Sequence, residues 1–136
     1  MKKYLIDTDI LSMFFRNNEK VIENFNNNFN QNDKPNISIL TTYEVISGLT
    51  YKDNKKLLEL FQKFIINCNI INLNHISIKY SAIIYSDLRK TGVNIDDVDI
   101  LIAGICLANN FTLVTNNQKH FSKIKNLKTE NWSNKL

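Results

Sequence analysis

Short apolar runs alternate along the chain with longer stretches in which apolar residues recur at helical spacing. The short runs predict strands over residues 3–6, 37–40, 68–73 and 111–115, with a last edge strand near Thr129. The longer stretches predict helices from residue 8 or 9 through 14, over 19–29, 41–49, 55–66 and 76–90, from 96 to about 108, and in a short segment ending at 124.

Strands that alternate with helices imply a parallel sheet covered by helices on both faces. The pattern therefore predicts an α/β fold of three layers, α/β/α, with a central and mainly parallel sheet. No internal repeat and no linker divides the 136 residues, and this length suits one domain with a substantial core. We expect a single domain over residues 1–136.

Polar residues near the start of each helix predict how it is capped. Thr8 or Asp9 is placed to cap the first helix. Thr41 and Glu44 have the spacing of a capping box, in which the glutamate reaches back to the helix start. In the helix over residues 76–90, the apolar spacing predicts an inward face formed by Ile78, Ala82, Ile83 and Tyr85.

Residues 94–104, NIDDVDILIAG, open a segment that is apolar nearly all round, which indicates a buried helix. Asp96 is a favoured N-cap residue, and Asp97 suits the first turn, where the helix dipole favours negative charge. Asp99 is followed directly by Ile-Leu-Ile, so we expect it to begin the buried part. Because a buried carboxylate is costly unless it is paired, hydrogen-bonded or bound to a cation, Asp99 is a candidate functional residue.

Acidic and amide side chains follow the ends of the predicted strands. Asp7 ends the first strand, Glu44 lies four residues past the second, and Asn116 and Asn117 follow the fourth. Ligands of open α/β sheets bind beyond the carboxyl ends of the strands. The helix that carries Asp99 precedes the fourth strand, so its N-terminus can reach the same edge. The sequence therefore predicts that Asp7, Glu44 and Asp99 hold a divalent metal ion.

Electrostatics favour this grouping over three unrelated roles. Two carboxylates about 4 Å apart repel by roughly 4 kcal/mol at an effective dielectric of about 20, so three together would protonate or move apart unless a cation lay among them. Hard oxygen ligands suit Mg²⁺ or Mn²⁺, and such an ion activates water beside a phosphate, as in a nuclease. Each residue alone also has a structural reading: Asp7 and Glu44 as helix caps, Asn116 and Asn117 as turn residues, and His120 as a surface side chain.

Composition narrows the class of protein without identifying it. The net charge of +4, from 17 basic and 13 acidic residues, argues only for solubility or some affinity for polyanions. No apolar run is long enough to cross a bilayer, and the start does not read as a signal peptide. Cys68 and Cys106 are expected to be reduced core residues, as suits a cytoplasmic protein.

The ordered motifs of the chain resemble those of the PIN-domain ribonucleases, and within them the VapC-type toxins of toxin–antitoxin pairs. The likeness covers nearly the whole chain and rests on YLIDTDILS, ISILTTYEVISGL, GVNIDDVDILIAGICLANN, TLVTNNQKHFSKIKNL and TENW. It implies a PIN-like three-layer fold. Asp7 matches the first metal-binding aspartate of the family, Glu44 the glutamate of the second motif, and Asp99 the aspartate before the apolar LIA run.

The resemblance also implies an activity and partners. It implies a Mg²⁺- or Mn²⁺-dependent endoribonuclease that cuts structured RNA of the tRNA or rRNA class, with Glu44 orienting or deprotonating the attacking water, or binding metal itself. It implies a homodimer, silenced by an antitoxin that enters the active-site groove. The helices over residues 19–29 and 55–66 carry more apolar positions than one sheet face needs, so we expect them to form that groove.

One position departs from the fullest acidic pattern of the family. Many relatives carry a fourth acid after the Thr-Asn motif, where this chain has His120, with Asn116 and Asn117 nearby. A neutral imidazole adds no negative charge and favours softer metals than Mg²⁺, which argues against a tightly bound second metal. Asp96, one turn from Asp99, is a further candidate to assist the site.

Two other classes of function fit parts of the pattern. An inactive PIN scaffold that binds RNA or protein is left open by His120. A receiver-like signalling domain would also place an acidic Mg²⁺ pocket on a parallel sheet, but it needs an Asp at the end of a middle strand. The second and third predicted strands end in Leu40 and Leu73, which counts against that class.

Overall fold

The computed structural model describes residues 2–134, which fold around a five-stranded sheet. Its strands run in the order β3-β2-β1-β4-β5, and every pairing is parallel. This confirms the predicted α/β class, with a sheet that is wholly parallel. The strands are β1 (Lys3–Ile6), β2 (Asn36–Ser38), β3 (Asn69–Ile71), β4 (Phe111–Val114) and β5 (Thr129–Glu130).

Seven helices in the described part of the chain connect these strands. Helices α5 and α6 pack on one face of the sheet, whereas α1, α2 and α4 contribute to a second core on the other face. The helices are α1 (Thr8–Phe15), α2 (Glu19–Asn28), α3 (Ile39–Tyr51), α4 (Lys55–Ile66), α5 (His75–Lys90), α6 (Asp97–Asn109) and α7 (Gln118–Phe121).

Two capping predictions differ from the structure. Asp7, rather than Thr8 or Asp9, is the N-cap of α1. The second strand ends at Ser38, which caps α3 by accepting a hydrogen bond from the Thr41 amide, so the capping box of Thr41 and Glu44 is wrong. The spacing of Thr41 and Glu44 does not mark a helix start, because α3 begins at Ile39, two residues before the predicted start.

The inward face predicted for α5 is also wrong. Ile78, Ala82, Ile83 and Tyr85 are exposed, and the buried residues are Ser77, Ser81, Ile84 and Leu88. The cause is the close approach of α5 to α6 at Gly104. A Cβ atom there would overlap Ser81 Oγ and lie 2.7 Å from the Ser77 carbonyl oxygen, so small polar residues occupy the seam where large apolar ones would not fit.

Two further predictions concern the state of the cysteines and the absence of a membrane-spanning helix. Cys68 and Cys106 are free thiols, with Cys106 buried. Among residues 2–134, no helix is long and apolar enough to cross a membrane.

Candidate active site

The candidate site lies where the sheet changes its winding direction. The chain adds β2 and β3 on one side of β1 and β4 and β5 on the other, so the crevice between β1 and β4 is a topological switch point. The two strands stay paired up to their carboxyl ends, where the Asp7 amide donates to the Val114 carbonyl at 2.9 Å. Asp7 and Thr115, the next residues along, therefore stand side by side.

Asp7 is a buried carboxylate, with a relative exposure of 7%. Its Oδ2 accepts from Thr115 Oγ1 and its Oδ1 from the Thr8 amide, both at 2.9 Å. Burial, and after it the nearby carboxylate of Asp9, raise the pKa of Asp7 to about 7 against the opposing effect of the two hydrogen bonds. Asp7 is thus the N-cap of α1 and also a carboxylate whose ionised form is disfavoured by burial. It can therefore serve as a helix cap and as a functional residue at once.

Asp99 stands in the first turn of α6 and contacts the position that departs from the family pattern. His120 Nε2 lies 3.1 Å from Asp99 Oδ2, and both side chains are half-buried. Burial raises the pKa of Asp99, and the contact with His120 opposes that rise. His120 is therefore beside the acidic site, as one of its two predicted readings required, rather than an isolated surface residue.

Asp9 is a carboxylate of the site that sequence reasoning missed. Its Oδ1 accepts from the Ile10 amide at 2.7 Å and its Oδ2 from the Asn116 amide at 3.0 Å. Burial raises the pKa of Asp9, and the charge of Asp99 acts in the same direction. The sequence contains a signal for this role, because Asp9 follows Asp7 by two residues at a strand end. The capping prediction for Asp9 did not use that signal.

Glu44 approaches the same edge from α3. Its Oε1 accepts from Thr8 Oγ1 at 2.7 Å, which ties it to the turn that carries Asp7. Within residues 2–134, no three Asp, Glu, His or Cys side chains converge tightly enough to enclose a metal ion as they stand. The donor set nevertheless suits Mg²⁺, because this ion is usually bound through one or two carboxylates and keeps several waters.

The secondary candidates have supporting positions. The Asn116 amide holds Asp9, while its side-chain Oδ1 accepts from Asn131 Nδ2 and Ser133 Oγ at 3.1 and 2.8 Å. The Asn117 amide donates to Thr115 Oγ1 at 3.1 Å. Asp96 occupies the predicted N-cap position of α6, although its side chain makes no capping hydrogen bond. Its charge raises the pKa of Asp99.

A cleft of about 380 Å³ opens beside Glu44, between α1, α3 and α4. Thr8 and Glu44 form its polar end, and Arg16 and Lys52 also line it. Its walls are apolar and include Leu11, Phe15, Val45, Leu49, Leu57 and Phe61.

The switch point of this parallel α/β sheet carries the buried carboxylate of Asp7 with the partly buried Asp9 and Asp99, and none of the three forms an ion pair with Lys or Arg in the described residues. The PIN domain model matches residues 4–127, so the chain belongs to the PIN-domain family. This match excludes the receiver-like class. The likeness to named relatives places the chain among the VapC-type members.

Three relatives illustrate that placement. Ribonuclease VapC1 of Methanocaldococcus jannaschii is 30% identical over 123 residues, which cover 90% of this chain and 82% of the relative. The tRNA(fMet)-specific endonuclease VapC of Shigella flexneri is 27% identical over 135 residues, covering 98% and 100%. The crystal structure of VapBC2 from Rickettsia felis bound to a promoter DNA fragment contains a chain with a TM-score of 0.83 and 28% identity, covering 95% and 98%.

Proposed function

We propose that this protein is a metal-dependent endoribonuclease toxin that cleaves structured RNA and is neutralised by a cognate antitoxin. The observation that carries the proposal is Asp7, a buried carboxylate at the switch point of the sheet, held beside Asp9 and Asp99 without a Lys or Arg ion pair in residues 2–134. A divalent cation would relieve this repulsion. The chain matches most or all of the length of relatives that are named ribonuclease or endonuclease, and this supports the same activity.

In this proposal, Asp7 and Asp99 bind Mg²⁺ or Mn²⁺, and Thr115 keeps Asp7 oriented through its 2.9 Å hydrogen bond. The ion, when bound, supplies the Lewis acidity that activates water and neutralises phosphate charge. Glu44 orients the attacking water and accepts its proton, since general bases act within hydrogen-bonding reach of the proton they remove. The products are a 3′-hydroxyl and a 5′-phosphate.

The antitoxin is proposed to bind in the cleft between α1, α3 and α4, which reaches Glu44. This revises the sequence prediction for α2, because its apolar residues Val21 and Phe25 are buried in the core and Phe25 packs edge-on against Trp132. Helix α4 stays in the groove through Leu57 and Phe61. An apolar segment that carries a Lys or Arg would fill the cleft and place a cation near Glu44 and Asp7, in the manner of a helix bound in a groove.

The homodimer is proposed to form through α5. Ile76, Tyr80 and Ile83 lie at helical spacing, and 61%, 40% and 60% of their surfaces are exposed. A row of large apolar side chains on one helix face is typical of a protein–protein contact. The proposed RNA substrate, of the tRNA or rRNA class, and the proposed cytoplasmic location agree with the net charge of +4 and the free cysteines.

The test is cleavage of total cellular RNA by purified protein with Mn²⁺, followed by mapping of new 5′ ends. We expect discrete cuts by the wild type and by Asp97→Asn, whose exposed carboxylate lies outside the site, and none by Asp7→Asn. Expression of wild type without a partner should arrest growth, whereas Asp7→Asn at equal soluble levels should not. Cuts that persist in Asp7→Asn would show that cleavage does not depend on Asp7, and an absence of cuts by wild type would favour the inactive scaffold.

A further inference from the structure

A row of three hydroxyl groups leads from the buried end of β2 to Glu44. Ser38 Oγ lies 3.3 Å from Thr41 Oγ1, Thr41 Oγ1 lies 3.2 Å from Thr8 Oγ1, and Thr8 Oγ1 lies 2.7 Å from Glu44 Oε1. Ser38 and Thr41 are almost wholly buried, at 0% and 1% exposure. The row therefore runs from the protein interior to the acidic edge of the sheet.

The protons of this row have one consistent direction. A hydroxyl has a single hydrogen to donate, and an ionised carboxylate only accepts. The shortest contact, from Thr8 to Glu44 at 2.7 Å, therefore takes the hydrogen of Thr8. With that hydrogen used, the 3.2 Å contact of Thr8 with Thr41 forms a hydrogen bond only when the Thr41 hydroxyl donates, and Ser38 donates to Thr41. Aligned hydrogen bonds polarise one another, so the row presents a strengthened donor to Glu44.

Helix capping does not account for this arrangement. The cap of α1 is Asp7 and the cap of α3 is Ser38, so the hydroxyl of Thr8 is not needed for either helix end. Glu44 is the sixth residue of α3 and, among residues 2–134, accepts no other side-chain or backbone hydrogen bond. The hydrogen bond to its carboxylate therefore comes from Thr8, a residue 36 positions earlier in the chain.

We propose that Thr8 is the positioning residue for Glu44, fixing Oε1 by its hydroxyl and leaving Oε2 for the reacting water. The inference rests on the proposed function, because it assigns Thr8 a part in that reaction. The proposed role of Thr8 also links the positions of Asp7 and Glu44. Asp7 and Thr8 are adjacent, so the β1–α1 connection that places Asp7 at the switch point also holds Glu44 towards it.

The experiment compares Thr8→Val, which keeps the shape and removes the hydroxyl, with Thr8→Ser, which restores it. Thr50→Val, on the exposed side of α3, is the matched control. We expect Thr8→Val to lower kcat on a cleaved RNA by about tenfold, the equivalent of one hydrogen bond to a charged group, with KM nearly unchanged. Thr8→Ser should recover most of the rate, and Thr50→Val should match wild type.

A double-mutant cycle decides whether Thr8 acts through Glu44. In a Glu44→Ala background, which removes the acceptor and whose residual rate is measured at high enzyme concentration, Thr8→Val should change kcat less than twofold. The same four proteins are compared by thermal unfolding without RNA, where the shifts in Tm of Thr8→Val and Glu44→Ala should not add. Equal rate losses in both backgrounds, or a failure of Thr8→Ser to recover the rate, would overturn the inference.

The two readouts separate this inference from the proposed function. If wild type cleaves no RNA, the proposed function fails, and the thermal cycle alone judges the contact. Additive Tm shifts would then reject the positioning of Glu44 by Thr8, and non-additive shifts would retain it. If wild type cleaves RNA but the kinetic cycle is additive, the ribonuclease stands and the role of Thr8 is rejected.

Discussion

His120 Nε2 lies 3.1 Å from Asp99 Oδ2, which joins the last short helix to the first turn of the buried helix α6. The contact places an imidazole where the family resemblance led us to expect a carboxylate. Two consequences can be measured. The imidazole occupies a hydrogen-bonding position of Asp99, and any residue substituted for His120 will act directly on a carboxylate that we propose as a metal ligand.

We expect His120→Glu to increase the stabilisation of the protein by Mg²⁺. A glutamate beside Asp99 adds a hard ligand but also repulsion, so the Tm without metal should fall and the rise on adding Mg²⁺ should grow. Binding to the native state alone stabilises by about 2.7 kcal/mol when the ion is present at about a hundred times its Kd. Tm against Mg²⁺ and Mn²⁺ concentration provides the measurement.

His75→Glu, the same change at the exposed start of α5, is its control and should respond as wild type does. Asp99→Asn should lose the metal response altogether. If His120→Glu and His120→Ala both reproduce the wild-type curves, His120 has no part in metal binding.

Without metal, the stability of the protein should fall as the pH rises from about 4 to about 7. Burial raises the pKa of Asp7 from 3.8 to about 7 in the folded state, so the folded protein binds more protons than the unfolded chain across this range. The contribution of Asp7 to the free energy of unfolding is therefore fully present below the pKa of the unfolded state. It is lost as the pH rises and Asp7 ionises in the folded protein. The raised pKa values of Asp9 and Asp99 act in the same direction.

The measurement is urea unfolding in EDTA at several pH values. Asp7→Asn should flatten most of the slope, since each unit of pKa shift corresponds to about 1.4 kcal/mol. Saturating Mg²⁺ should flatten it as well. A wild-type protein equally stable at pH 4.5 and 7.5 in EDTA would contradict this account of Asp7.

The two helical glycines should respond oppositely to alanine. A Cβ on Gly104 would overlap Ser81 and the Ser77 carbonyl, whereas a Cβ on Gly48 meets nothing within 4 Å. Gly48→Ala should therefore stabilise by about 0.5–1 kcal/mol through helix propensity, and Gly104→Ala should destabilise by about 1–3 kcal/mol through overpacking. Chemical unfolding of the pair checks the sign, and a stabilised Gly104→Ala would mean that α5 and α6 can separate at no cost.

The α5 face should control self-association. Ile83→Lys puts a charge in the middle of the exposed row, so we expect a shift from dimer to monomer in sedimentation equilibrium. Ile66→Lys, on α4 and 76% exposed, is the matched control and should leave the dimer intact. A dimer that survives Ile83→Lys but not Ile66→Lys would place the contact on α4 instead.

Much of the architecture was predictable from the sequence. The apolar periods gave the order of strands and helices, and the parallel α/β class followed from their alternation. Asp7 at a strand end and Asp99 before Ile-Leu-Ile were identified because each violates a local rule: a charge stands where burial begins. Such conflicts are visible within a few residues, and they persist only where a function or a partner compensates for them.

Only the tertiary structure decided which side chains meet. Asp9 joined the site because the β4–α7 connection brings the Asn116 amide to it, and Thr8 met Glu44 because α1 and α3 start from the same edge of the sheet. The outward face of α5 depended on Gly104, a residue of another helix. Local propensity acts over one or two turns of chain, whereas Thr8 and Glu44 are 36 positions apart and Asp99 and His120 are 21 apart. The sheet sets those distances, and sequence periodicity carries no record of them.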